Sequence, residues 1–494
     1  LPIPSFAMSL SVASALRLSC VVISEISFLR LMLPSSLKEA RAIPSAVSSA
    51  TCCAISDTCS SAMVCLLKNG AFFDQISVLN FSQKIYYGDY YGLFKGSYMS
   101  CYPYMLGLAL YEKMVISFVD VDNLRQCIFA LQFMNCFELT VTVFFGFKII
   151  LKLCDDDRSA IVSYSLLIIF FLPIYIYVTF IYGEIVSFMF VFIATYYLLK
   201  FFEKDNLFCY FLCLICISMA VILRMNSLIM LIAFTLLMLY KGIFEKKSLR
   251  YVLLSVLMFV LAMKSKDLPV MYFEKASNYY EIVDRNEYRL GDGMPYLGNI
   301  AMGTNISSFT NYGWYDGTNA RIYVDIAHLD STKAKEEYSK IIKENIAFAK
   351  ENPLIFSDYM LKKIESTWLD PIFEVLYFTG FSRLDNTLLS NFLYYGNGKE
   401  LLKITSDIYQ SIVYLLCLIS IHDKLRQVKK IGIQTLLVHI IFLGGFLFLL
   451  IWEGSSRYNL PYFFISIISA ADGLVCLQKR LNLKNKTAEF LSEV

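Results

Sequence analysis

The chain has 494 residues, of which 57% are hydrophobic and 17% charged. That is more apolar surface than one water-soluble core can hide, so the chain reads as an α-helical multi-span membrane protein. A formal net charge of +3, dispersed rather than gathered into a basic stripe, excludes nucleic acid as a partner.

The fourteen cysteines include no CxxC pair near a histidine, and His328, His422 and His439 lie far apart, so no zinc or haem site is indicated. Cys209, Cys213 and Cys216 fall within one apolar helix and read as small core-facing residues.

Residues 1–69 differ from the rest: they are rich in Ser, Ala and Cys and contain none of the 34 tyrosines. They read as an atypical leader, disordered or translated from a wrong start or frame in place of a first helix, and expected to pack poorly. Ser9 to Leu33 is interrupted by Arg17, Glu25 and Arg30; Ala46 to Leu67, with Asp57 inside, is the better span candidate.

Residues 70–265 read as a membrane domain that opens with an outer loop, 70–123. This loop carries Asp74, Gln75, Asp89 and a Tyr/Gly-rich run ending in Tyr102-Pro103. A carboxylate next to a membrane domain is a functional candidate by default. Tyr102 to Phe118 is short and contains Glu112 and Lys113, which predicts an interfacial helix. Six spans follow: Cys127 to Ile150, Ile161 to Phe180, Ile185 to Phe202, Leu207 to Leu223, Ser227 to Tyr240 and Leu249 to Lys264.

Residues 266–405 form a polar, α-rich outer domain. Apolar residues at helical spacing predict a helix over Ser331 to Lys350, Asn352-Pro353 breaks it, and a second helix runs from Leu354 to Trp368. Gly291 to Pro295 and Gly313 to Gly317 are turn-rich and aromatic, as in loops that line a polar ligand. Residues 406–494 supply three more spans, Ile408 to Ile421, Ile433 to Ile451 and Leu460 to Leu477, and a short tail.

Every second loop is basic, which places the loops after Ile150, Phe202, Tyr240, Ile421 and Leu477 in the cytoplasm. The same parity puts Asp74, Glu184, Arg224, residues 266–405 and Arg457 together on the outer face. Arginines are depleted there by the positive-inside bias, so Arg224 and Arg457 become candidates for an anionic ligand, whose oxygens a guanidinium fork matches.

Phe73-Asp74-Gln75, Tyr87-Gly88-Asp89-Tyr90, Gly96-Ser97-Tyr98 and Tyr102-Pro103 resemble the first outer loop of bacterial GT-C class membrane glycosyltransferases. The nearest group is the protein O-mannosyltransferase and aminoarabinose transferase type, glycosyltransferase family 39. Tyr182-Gly183-Glu184, Arg224-Met225-Asn226, Met302 to Gly317 and Ser456-Arg457-Tyr458 resemble further parts of that pattern.

The resemblance covers Phe72 to the C-terminus and implies a GT-C bundle of about 9 to 11 transmembrane helices with an outer loop domain. It also implies inverting transfer from a polyprenyl-phosphate sugar to a hydroxyl on a glycan, lipid or protein acceptor, at the extracytoplasmic face of the plasma membrane.

On this expectation Asp74 is the base, and Glu184 orients the acceptor or sugar or acts as a second acid. Arg457 and Arg224 hold the lipid phosphate, with Gln75, Tyr458 and Asp89 as further binding residues. These residues require no metal, and no cofactor is expected. A surface-polysaccharide polymerase and a lipid-linked sugar flippase or transporter are the alternatives; the transporter calls for repeats and broken helices with charges at the midplane, which this sequence lacks.

Overall fold

The computed structural model describes residues 45–154, 157–276, 290–291, 293–306 and 312–493. Fifteen helices carry the architecture: α1 (Ser45–Leu67), α2 (Asp74–Tyr86), α3 (Leu106–Ile116), α4 (Leu124–Leu153), α5 (Asp157–Ile169), α6 (Leu172–Tyr177), α7 (Glu184–Lys204), α8 (Leu207–Leu223), α9 (Leu228–Tyr240), α10 (Leu249–Ser265), α11 (Ser331–Glu351), α12 (Pro353–Trp368), α13 (Gly398–Ile431), α14 (Leu437–Ile451) and α15 (Ser456–Glu493). Among the described residues no β-strand forms; Asn69 and Arg383 make an isolated bridge. Among the described residues six helices are long and apolar enough to cross a bilayer, so the protein is an α-helical membrane protein.

The segment expected to pack poorly differs from that expectation over its second half. Residues 45–67 form α1, which packs on α4, α5 and α6 and buries Cys52, Ser56, Ser60 and Val64 at near-helical spacing. Ser and Ala side chains permit this close approach between helices inside a membrane, where small residues carry the packing. The remainder of that call, residues 1–44, lies outside the described residues.

The span expected from Ile161 to Phe180 is broken. Helix α5 stops at Ile169 and α6 restarts around Pro173, after which residues 178–182 leave helical geometry. Proline supplies no N–H and disfavours helical geometry in the residue before it, so the chain interrupts here.

A broken helix at membrane depth must find hydrogen bonds elsewhere, and α4 provides them. Asn135 Nδ2 donates to Val178 O (2.9 Å) and Phe180 O (3.2 Å), and Gln132 Nε2 donates to Thr179 O and Asn69 O, both at 3.0 Å. These buried amides give α4, 30 residues long, polar side chains inside an otherwise apolar helix.

The outer segment follows its pattern. Asp330 caps α11 by accepting from Thr332 N (2.8 Å) and Lys333 N (3.1 Å), and Pro353 begins α12. Trp368 at the end of α12 packs edge-on to Phe442, with ring centroids 5.0 Å apart, and tilted against Phe446 at 5.4 Å, fastening the outer segment to α14. The predicted interfacial helix is instead α3, with Glu112 buried and Met114 its one exposed residue.

Helices α13 and α15 cross where Gly473 meets the backbone of Leu416. A Cβ at 473 would sit 2.0 Å from Leu416 O, whereas one at Gly444 would meet only the Ile229 Cγ2 methyl at 3.1 Å. Gly473→Ala is expected to destabilise the detergent-purified protein by about 1–3 kcal/mol, read as a lowered thermal midpoint, with Gly444→Ala near neutral. Equal midpoints would show that the two helices separate freely.

Candidate active site

Tyr182 sits at the end of the irregular segment 178–182. Its position follows from the amide contacts of α4 and from Gln75, whose Oε1 accepts Ile181 N at 2.9 Å. Gly183 follows at φ +87° and starts α7; a side chain there would be strained and would press on Arg224 Cδ at 3.3 Å.

The Tyr182 ring faces two cations: the guanidinium of Arg224 lies 4.6 Å from its centroid and that of Arg457 5.5 Å. Its hydroxyl, 2.8 Å from Tyr98 Oη, donates to Asp74 Oδ2 at 3.3 Å. One aromatic side chain thus joins the carboxylate to both arginines.

The two arginines are balanced differently. Arg224, in extended backbone after α8, pairs with Glu184 Oε1 at 2.8 Å. Arg457, in the first turn of α15, is 8% exposed, and among the described residues no carboxylate lies within 4.0 Å of it. It packs against Phe378, 4.2 Å from the ring centroid, and donates weakly to Tyr458 Oη at 3.4 Å. Its Nε has no hydrogen-bond acceptor among the described residues.

The start of α15 is held by acids from residues 370–374. Glu374 accepts from Ser455 Oγ (2.8 Å) and Ser456 N (3.2 Å), and Asp370 accepts from Ser456 Oγ at 2.6 Å, the sign a helix N-terminus favours. Burial raises the Glu374 pKa, partly offset by Ser455 and Arg457.

On the other side of the turn, Lys363 of α12 donates to Gly303 O (2.5 Å), Trp452 O (2.6 Å) and Leu450 O (3.1 Å). It satisfies the carbonyls that α14 leaves open at its C-terminus.

These residues surround an open cavity of about 550 Å³. Asp74, Arg224, Arg457 and Tyr458 line it, with aromatic walls from Tyr102, Tyr104, Trp314, Tyr377 and Trp452. Asp74 and Arg457 are 383 positions apart in the chain, and the fold brings both to one cavity.

Three candidates from the sequence stand elsewhere. Glu184, 3% exposed, lies behind Arg224 at a water-sized void and does not line this cavity. Gln75 is spent on Ile181, with Nε2 3.4 Å from Phe72 O and Phe378 O, so it holds backbone and does not face the cavity. Asp89 is exposed and accepts Tyr91 N at 2.9 Å, a turn contact outside the site.

Two residues at the cavity that the sequence does not single out are Tyr182 and Glu453. Tyr182 carries no charge to signal a role, and Glu453 precedes Arg457 and Tyr458, the candidates of that stretch. Glu453 is 7% exposed, and burial, opposed by Arg457 and reinforced by nearby carboxyls, pushes its pKa up to about 7.

No protein-family model matches the chain and no curated protein sequence is similar to it. Solved structures are. The likeness is to an archaeal oligosaccharyltransferase. The Archaeoglobus fulgidus enzyme tethered with an acceptor peptide containing the NVT sequon is 12% identical over 88% of this chain and 50% of its own, with a TM-score of 0.45. The apo form covers 90% and 52% at 12% identity and a TM-score of 0.46. The A. fulgidus enzyme AglB in complex with an inhibitory peptide and a dolichol-phosphate covers 90% and 52% at 12% identity and 0.45. The chain spans about half the length of these proteins, and the chemistry of its cavity rests on its own residues.

Replacing Lys363 with methionine removes three charge-assisted hydrogen bonds and leaves buried carbonyls of Gly303, Leu450 and Trp452 without donors. Lys363→Met is expected to cost about 2–5 kcal/mol in reversible denaturation. An unchanged stability would mean that water replaces the ammonium.

Proposed function

We propose that the cavity transfers a sugar from a polyprenyl-phosphate donor to an acceptor hydroxyl with inversion, in a GT-C type enzyme acting at the extracytoplasmic face of the plasma membrane. The observation that carries this is Arg457: a buried guanidinium, without a carboxylate partner among the described residues, turned to a cavity that also holds a second arginine and a carboxylate. A buried cation without a counter-ion is costly unless a ligand supplies the charge. A phosphate at the end of a membrane-embedded chain meets that need at this depth.

In the reaction, Asp74 takes the proton of the acceptor hydroxyl and the acceptor oxygen bonds to the anomeric carbon. The bond from that carbon to the phosphate oxygen breaks, its electron pair leaving with the lipid phosphate. Arg457 and Arg224 neutralise the charge that gathers on the phosphate, with Glu184 fixing Arg224 from behind. Tyr182 orients Asp74 through its hydroxyl and keeps both guanidiniums on one ring. The aromatic walls offer flat faces for the C–H surfaces of a pyranose.

The sidedness rests on the basic loops. Lys152 and Glu203 pair at 2.5 Å at the C-terminal ends of α4 and α7, remote from the cavity. Along α7, Glu184 and Glu203 are nearly thirty ångströms apart, roughly 1.5 Å per residue, so cavity and basic loops belong to opposite faces.

Transfer of radiolabelled sugar from a polyprenyl-phosphate hexose, in membranes carrying each variant, tests the roles. Asp74→Asn is expected to keep donor binding and lose about 10²- to 10⁴-fold in rate, whereas Arg457→Ala is expected to weaken donor binding as well as rate. Full activity in Asp74→Asn removes it as the base, and unaltered donor affinity in Arg457→Ala removes the phosphate site. In parallel, a membrane-impermeant thiol reagent applied to intact cells should modify Glu336→Cys and spare Lys246→Cys; the reverse pattern would place the cavity on the cytoplasmic face.

A further inference from the structure

Glu453 is the buried carboxyl at the cavity that the transfer chemistry leaves without a task. It stands in the turn between α14 and α15, four residues before Arg457, and lines the same cavity as Arg457, Tyr458 and Asp74. The turn is fixed on both sides: Lys363 binds Trp452 O, and Gly454 N donates to Gly313 O at 2.8 Å. The carboxyl therefore cannot swing out into water to find solvation.

The groups around Glu453 come from every packed element. Arg457 approaches from α15, Asp74 from α2, Lys363 from α12, and Glu374 and Asp316 from the outer segment, with the phenols of Tyr102, Tyr315 and Tyr458 nearby. Arg457 favours the ionised form; three carboxyls and burial oppose it, and Lys363, whose pKa burial lowers to about 7, carries only part of a charge at neutral pH. Of the cations, Lys363 already directs its three N–H bonds at carbonyls, and Arg457 is the one turned to the cavity.

We propose that Glu453 is a donor-binding residue that works as the neutral acid, its O–H donating a hydrogen bond to a phosphate oxygen held by Arg457, so that capture of the lipid phosphodiester takes up one proton. This rests on the glycosyl-transfer reading above and names the proton as part of donor recognition. An ionised Glu453 beside the phosphate would repel it, whereas the protonated acid offers a donor where the phosphate needs one. A phosphodiester carries a single charge across neutral pH, so any titration in its binding belongs to the protein.

The sign follows from that linkage. Glu453 is neutral below its pKa, near 7, so affinity is full in mild acid and falls as pH rises through about 7, approaching tenfold per pH unit for one linked proton.

The test uses the full chain purified in detergent, with a short-chain prenyl phosphodiester of glucose as the probe and binding measured from pH 6 to 8.5. The wild type should lose affinity above pH 7. Glu453→Gln, which keeps a hydrogen-bond donor and cannot titrate, should bind about equally well throughout and exceed the wild type at pH 8.5.

Calorimetry of the unmutated protein at pH 7.5 in buffers of different ionisation heat should show uptake of most of one proton per ligand. A flat wild-type profile, an unchanged slope in Glu453→Gln, loss of its binding at pH 6, or no proton uptake overturns the proposal. A wild type that binds the probe at no pH, or an Arg457→Ala variant that binds it as tightly as the wild type, overturns the transfer reading itself.

Discussion

Two guanidiniums lie against the ring of one tyrosine at the end of a helical bundle, and the local structure is arranged around the cost of keeping them there. Like charges in an apolar setting repel, and each loses hydration worth several kcal/mol. Arg224 recovers part of that through Glu184. Arg457 has aromatic rings on several sides and no carboxylate within ion-pair distance among the described residues. The quadrupoles of Tyr182 and Phe378 offset a fraction of the cost, about 0.5–2 kcal/mol each. The remainder leaves a positive potential that an anion can satisfy.

The scaffold that holds this arrangement is made of amides rather than charges. Gln132, Asn135 and Gln75 supply the hydrogen bonds that residues 178–181 lack after α6. They let an irregular segment persist at membrane depth, and that segment aims Tyr182. Lys363 performs the corresponding task at the opposite wall, where three carbonyls converge on one ammonium. Side chains outside the cavity thus fix the geometry of those that line it.

How much of this was legible in the sequence depends on the physical signal each residue leaves. Hydropathy located α4, α7, α8, α9, α10 and the last three helices, and helical spacing with Asn352-Pro353 located α11 and α12. Charge on the outer parity drew out Asp74, Arg224 and Arg457, all of which line the cavity. The break within 161–180 was harder: the stretch is apolar throughout, and the polar residues that stabilise the break lie in α4 and α2, far off in sequence.

Gln75 and Asp89 looked like ligands because polarity beside a carboxylate is ambiguous until partners are known. Glu184 was placed correctly in its turn, but its side chain proved to face Arg224. Helix α1 was discounted on composition, although small residues are what close helix packing requires. Tyr182 is one tyrosine among 34, and only geometry singles it out.

The distance along the chain between Asp74 and Arg457 also has a meaning for biosynthesis. At about 5–20 residues per second, roughly 20–80 seconds separate the emergence of the carboxylate from that of the arginine. During that interval α2 and the segment carrying Tyr182 can already be in the membrane while the wall formed by α15 does not yet exist. In a nascent chain the cavity is therefore incomplete until α15 docks against residues 370–374. Arg457 arrives after the rings of Tyr182 and Phe378 that it packs against.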